Sequence, residues 1–300
     1  MSTPLAGPDP ALLETGASWI TRLAAPILSL AILAVVAARM ARFDFTGTWA
    51  LLPTSFAFWL VYAAFYLSPP VADWIIFRRL WKLPAAGFVA LLRKLVGNEL
   101  LVGYAGELYL YGWARKRIGM VGAPFGTIKD VAILSAVVGN VATLLMMIVA
   151  WPVLRTLALG HDGPAFAVSI GVVLAISAAA MLWRKRLFTL PRPDLAFVVV
   201  VHAARTVATT GLAALMWHLA LPTVPLGTWL LLAALRLLIS RLPFVANKDL
   251  IFAGLALVVM GQDRPVAQLV ALIAGITVAT HVVLGALLAA AELAGWLRRA

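Results

Sequence analysis

The chain has no cysteine at all. That excludes a disulfide framework, a thiolate metal site and thiol chemistry. Charge is also scarce: 12% of the 300 residues are Asp, Glu, Lys or Arg, whereas 63% are hydrophobic. A water-soluble domain of this length needs far more charge to stay in solution. Acids are the rarer sign, 12 against 24 Lys and Arg, for a formal net charge of +12. No P-loop, nucleophile elbow, HExxH or glycine-rich dinucleotide fingerprint is present, so no catalytic motif points to an enzyme. The four histidines (His161, His202, His218 and His281) are scattered and make no metal-ligand pattern, and no cofactor is expected. There is no extended soluble basic face for nucleic acid. The first sixteen residues are polar and lack a basic n-region. The long apolar run after them has no clear cleavage site and reads as a retained first span.

What the chain does have is a series of long apolar runs. They predict an all-α, polytopic helical membrane protein, because a backbone in lipid must satisfy its own hydrogen bonds. Spans are expected at about 17–38, 49–68, 124–151, 164–183, 195–219, 225–241 and 265–296, for about seven to eight transmembrane helices in one membrane domain covering 1–300. Pro69-Pro70 is expected to end the second span. Residues 72–82, with Trp, Ile and Phe beside Arg78, Arg79 and Lys82, fit an interfacial amphipathic helix.

Two segments break the pattern. Residues 84–117 contain Asn98, Glu99, Glu107, glycines at 97, 103 and 106 and basic clusters at both ends. The stretch between Asn98 and Tyr109 is too short to cross a bilayer, which takes about 20 apolar residues. It is expected to be a re-entrant hairpin carrying polar groups into the membrane. Residues 242–262 form a second interrupted stretch, with Pro243, Asn247, Lys248 and Asp249 ahead of a short apolar run. Paired, broken segments in corresponding positions point to a transporter-like binding site. Placing the basic loop Arg184–Arg186 inside orients the spans, with the N-terminus inside and the 39–48 loop outside, although Arg39 and Arg42 count against that. The side of the C-terminus follows from whether 242–262 spans or re-enters, and both are open.

Candidate binding residues follow from the cost of ionisable groups at membrane depth. In the first hairpin, Asn98, Glu99, Gly106 and Glu107 can share one cavity, or the glutamates can simply pair with Arg93, Lys94 or Arg115. Lys129 and Asp130 are a polar pair at the start of a span, where Asp also suits the helix dipole. His202 and Arg205, three residues apart, share a helix face, and Arg205 can neutralise a phosphate or pair with a hairpin glutamate. Arg236, Arg241, Lys248 and Asp249 complete the set. Asn140, mid-span, fits an interhelical hydrogen bond.

The run from Asn98 through Leu100, Leu101 and Gly106 to Glu107 resembles the N-x-L-L-P-x-x-x-G-E signature of the lysylphosphatidylglycerol synthase transmembrane region family, the flippase-like membrane domain of multiple peptide resistance proteins. The order of spans and a later Arg241…Pro243 are also similar. Val102 stands in place of the proline, Leu110 where an arginine is expected, and the second hairpin lacks its glycines, so the resemblance is to a divergent member. It implies movement of lipids or lipid-linked molecules between leaflets. The resulting expectation is a multi-pass protein of the bacterial inner (cytoplasmic) membrane. It would bind and move an anionic phospholipid or lipid-linked intermediate. Its partners would be membrane lipids, and a homo-oligomer is compatible with this reading. The alternatives are an integral-membrane enzyme using Glu99 and Glu107 as acid and base on a lipid substrate, and a non-catalytic membrane scaffold.

Overall fold

A computed structural model describes residues 53–101, 105–118, 123–156, 188–240, 252 and 264–297. Among these the fold is all-helical, without strands. The helices are α1 (Phe56–Trp81), α2 (Gly87–Leu100), α3 (Ala105–Ile118), α4 (Ala123–Thr156), α5 (Arg192–Ala220), α6 (Leu226–Ser240) and α7 (Arg264–Leu297). Four segments are long and apolar enough to cross a membrane: Phe56–Trp81, Phe125–Met146, Arg192–Ala220 and Gln268–Ala294. The expected spans at 17–38 and 164–183 and the interrupted segment 242–262, apart from Phe252, lie outside the described residues.

Two expectations are corrected in α1. The helix does not stop at Pro69-Pro70 but runs through them to Trp81. The two prolines remove the N–H groups that would reach the Phe65 and Tyr66 carbonyls. One residue earlier, the Ser68 hydroxyl donates to the Ala64 carbonyl at 2.7 Å. Packing holds the rest: Phe65 and Tyr66 are buried before the prolines, and Asp73, Ile76 and Phe77 after them. Burial on both sides of the prolines holds the helix continuous through them. Residues 72–81 are therefore the end of a long helix with buried side chains, not a separate interfacial helix. Lys82 caps α1 in the left-handed region (φ 52°), and the chain reverses into Leu83 and Pro84.

α2 and α3 have 14 residues each, about 21 Å at 1.5 Å per residue, short of the hydrocarbon thickness of about 30 Å. They pack antiparallel: Arg93 meets Tyr109, Lys94 meets Glu107 and Asn98 meets Gly106. Both open ends of this hairpin lie at one end of the bundle. Arg79 in the last turn of α1 pairs with Asp194 in the first turn of α5 at 3.1 Å. Asp130, near the start of α4, accepts three hydrogen bonds through one oxygen: from Thr189 N at 2.6 Å, Thr189 Oγ1 at 2.9 Å and Leu190 N at 2.8 Å. So the C-terminus of α1 and the N-termini of α4 and α5 share an end. Arg78, Lys82, Lys116, Arg117 and Arg192 are exposed there.

The apolar residues form two main clusters. One, toward the far end, joins Phe58, Tyr62, Phe65, Tyr66, Trp217 and Trp229, with the last two indoles stacked at 5.8 Å. The other, near the basic end, joins Ile76, Phe77, Trp81, Leu91, Leu110 and Val198. Asp130 is fully buried, and its fan of bonds fixes the approach to α5. Replacing Asp130 with Ala should cost about 2–4 kcal/mol, since three backbone and hydroxyl donors lose a charged acceptor. A thermal melt in detergent reads this directly, and an unchanged midpoint would show that the fan contributes nothing.

Candidate functional site

The two apolar clusters leave a gap. Along α1 one ends at Tyr66 and the other resumes at Ile76; along α5 the break runs from Val198 to Ala213. Asp73, His202 and Arg205 occupy these gaps. Asp73 is 7% exposed and His202 1%. The result is a polar layer sandwiched between apolar ones. Counting 1.5 Å per residue from the basic end, Asp73 lies about 12 Å along α1, Lys94 about 10 Å along α2 and Arg205 about 20 Å along α5.

Lys94 closes the layer. Its Nζ lies 2.6 Å from Asp73 Oδ2 and 3.4 Å from Glu107 Oε1. Two carboxylates facing one buried ammonium offset the cost of taking its charge out of water. Arg205 Nη2 donates to Ser135 Oγ on α4 at 3.0 Å, and its charge also acts on Asp73. Side chains from α1, α2, α3, α4 and α5 thus meet in one place. Glu107 Oε2 is buried and has no hydrogen-bond partner among the described residues.

The hairpin is built to present Lys94 and Glu107 together. The first amides of a helix have no partner within it. Here Gly106 N–H, at the start of α3, donates across to Asn98 Oδ1 at 2.7 Å, so Asn98 caps a helix other than its own. Gly106 also sits on the Lys94 carbonyl, where any added Cβ would collide with backbone. That contact requires glycine for closeness rather than for an unusual backbone angle. Glu107 then falls in the first turn of α3, where the helix dipole favours a negative charge.

The neighbouring residue, Arg93, faces elsewhere. Its guanidinium bonds the Tyr109 hydroxyl at 3.1 Å, the Glu292 carboxylate and the Leu288 carbonyl at 2.9 Å. The hairpin is therefore tied to α1 through Lys94 and to α7 through Arg93. On the α1–α7 contact, Tyr66 and His281 share a hydrogen bond of 2.8 Å, and Glu99 lies close enough to Tyr66 to act on it electrostatically.

The sequence-derived candidates divide accordingly. Asn98, Gly106, Glu107 and Arg205 come together in the polar layer. Lys129 lies 3.4 Å from Asp130, and Asp130 serves the junction before α5. Arg236 stacks its guanidinium 4.8 Å from the Phe65 ring centroid and lines a crevice with Trp217, Phe252 and Thr277 that has room for about one water molecule. Arg241, Lys248 and Asp249 lie outside the described residues. Asn140, expected to join helices, is buried and engaged. The set left out Asp73, and it considered Lys94 only as a pairing partner for the glutamates. A signal for Asp73 was available: it is the only acid between residues 45 and 98, deep in an apolar run.

Removing one partner of a buried ion pair leaves the other uncompensated, at about 3–5 kcal/mol. Asp73→Ala should lose about that much stability in detergent. The double variant Asp73→Ala/Lys94→Met, which leaves Glu107 without its cation, should lose less than the sum of the two single variants, and strictly additive losses in this cycle would contradict the pairing. Comparison of the chain with protein-family profiles, curated proteins and solved structures finds no match.

Proposed function

We propose that this chain binds an anionic phospholipid or lipid-linked intermediate and moves it across a bacterial cytoplasmic membrane. In this reading α2 and α3 are a re-entrant hairpin, entered and left from the basic, cytoplasmic side. The residues at 242–262 supply a second interrupted segment, and the chain crosses the membrane about seven to eight times.

The observation that carries the proposal is the polar layer. Asp73, Lys94, Glu107 and Arg205 stand among apolar helices, and ionisable groups at such depth mark a path or a binding site. Lys94 and Arg205 are the side chains suited to phosphate. The exposed basic rim suits the anionic lipids of a cytoplasmic leaflet. The resemblance of Asn98…Gly106-Glu107 to the lysylphosphatidylglycerol synthase transmembrane region supports the same reading, and those residues form the hairpin closure.

Purified protein in vesicles of phosphatidylcholine and phosphatidylglycerol should move a fluorescent phosphatidylglycerol between leaflets faster than protein-free vesicles do. Arg205→Gln should slow that movement about 10- to 100-fold, the equivalent of one lost charge-assisted contact. Wild-type rates equal to those of empty vesicles, or rates indifferent to this change in a folded variant, would sink the proposal.

A further inference from the structure

The polar layer is charge-balanced. Asp73 and Glu107 are matched by Lys94 and Arg205, and with the His202 imidazole neutral the formal sum is zero. Such balance is what a site of low dielectric requires, since an uncompensated buried charge is strongly unfavourable. It also constrains what can enter. A phosphodiester monoanion drawn to Lys94 and Arg205 would leave the layer one negative charge in excess. Either the anion brings a cation with it, or the layer gains a proton.

Beside Glu107 Oε2, the layer holds a second group with atoms to spare. His202 is almost fully enclosed, and neither ring nitrogen has a well-formed hydrogen bond among the described residues, although the Val131 backbone of α4 approaches the ring. The charged groups acting on it are Arg205 on its own helix, Asp73 on α1 and Lys94 on α2, with Glu107 of α3 behind Lys94. Buried polar groups are nearly always bonded, and one that is not asks for a state in which it is. Buried beside Arg205 and Lys94, an imidazolium at His202 is tolerated only with an added anion next to it, so its proton and that anion arrive together. Lys94 meanwhile fills the space between the two carboxylates, where a metal cation would otherwise sit.

We infer that the polar layer is an electroneutral co-binding site for one phosphodiester monoanion and one proton. The proton comes from water and forms an N–H bond on a ring nitrogen of His202; no bond of the ligand is made or broken. The resulting imidazolium restores neutrality and gives the phosphate a third cationic neighbour beside Lys94 and Arg205. This deepens the lipid-binding reading and rests on it for the ligand class. Transport by such a site is coupled to protons and carries no net charge.

The test is calorimetric. Binding of dihexanoylphosphatidylglycerol and of dimethyl phosphate to the full-length protein is measured in buffers of different ionisation enthalpy, because neither probe itself titrates near neutral pH. The expected result is uptake of about one proton per probe, with affinity falling about tenfold per pH unit on the alkaline side. In His202→Gln the uptake should vanish and binding at pH 6 should weaken at least about tenfold. Binding of wild type with no linked proton overturns the co-binding and leaves the lipid reading standing, and this measurement needs no variant. Uptake unchanged in His202→Gln overturns the assignment to that residue. Proton-linked binding of dimethyl phosphate alone supports the co-binding and overturns the lipid reading. Failure of both probes to bind overturns both.

Discussion

An ammonium group buried among apolar helices has to be neutralised by its immediate neighbours. Lys94 meets this constraint with two carboxylates from two other helices, and much of the architecture follows from it. To reach Asp73, α2 must lie against α1. To bring Glu107 to the same place, α3 must fold back on α2 closely enough that Gly106 touches the Lys94 backbone. The Asn98–Gly106 bond then satisfies an amide that this close approach would otherwise strand. Electrostatics and hairpin geometry are thus one problem with one solution. The two apolar clusters on either side keep that solution dry, which strengthens the attraction between the paired charges and raises the penalty for separating them.

The fold class was legible from composition, because long uncharged runs leave helices as the only economical backbone. The positions of α4, α5, α6 and α7 agree closely with the apolar runs. The hairpin was legible as a polar anomaly too short to cross. The continuity of α1 was not, since proline is normally read as a stop and the packing that overrides it comes from residues distant in sequence. Tyr62 bonds Thr280 and Tyr66 bonds His281, more than 200 positions away. Nothing local to Pro69 announces that support.

The site was half legible for a similar reason. Motif spacing identifies Asn98, Gly106 and Glu107 because Asn98 and Gly106 bond one another eight residues apart and Glu107 follows directly. Asp73 and Lys94 act across 21 residues and between helices, and a lone Asp or Lys carries no spacing to recognise. Lys129 and Asp130 look like a functional pair in sequence, yet one carboxylate oxygen of Asp130 holds the Thr189–Leu190 junction. A polar pair at a helix start is ambiguous until the partner segment is known.

Arg93 and Lys94 are consecutive, so their side chains leave α2 about 100° apart. One grips α7 and the other grips α1. Turning α2 about its own axis displaces both contacts at once, so two neighbouring residues fix the helix's rotational setting between α1 and α7.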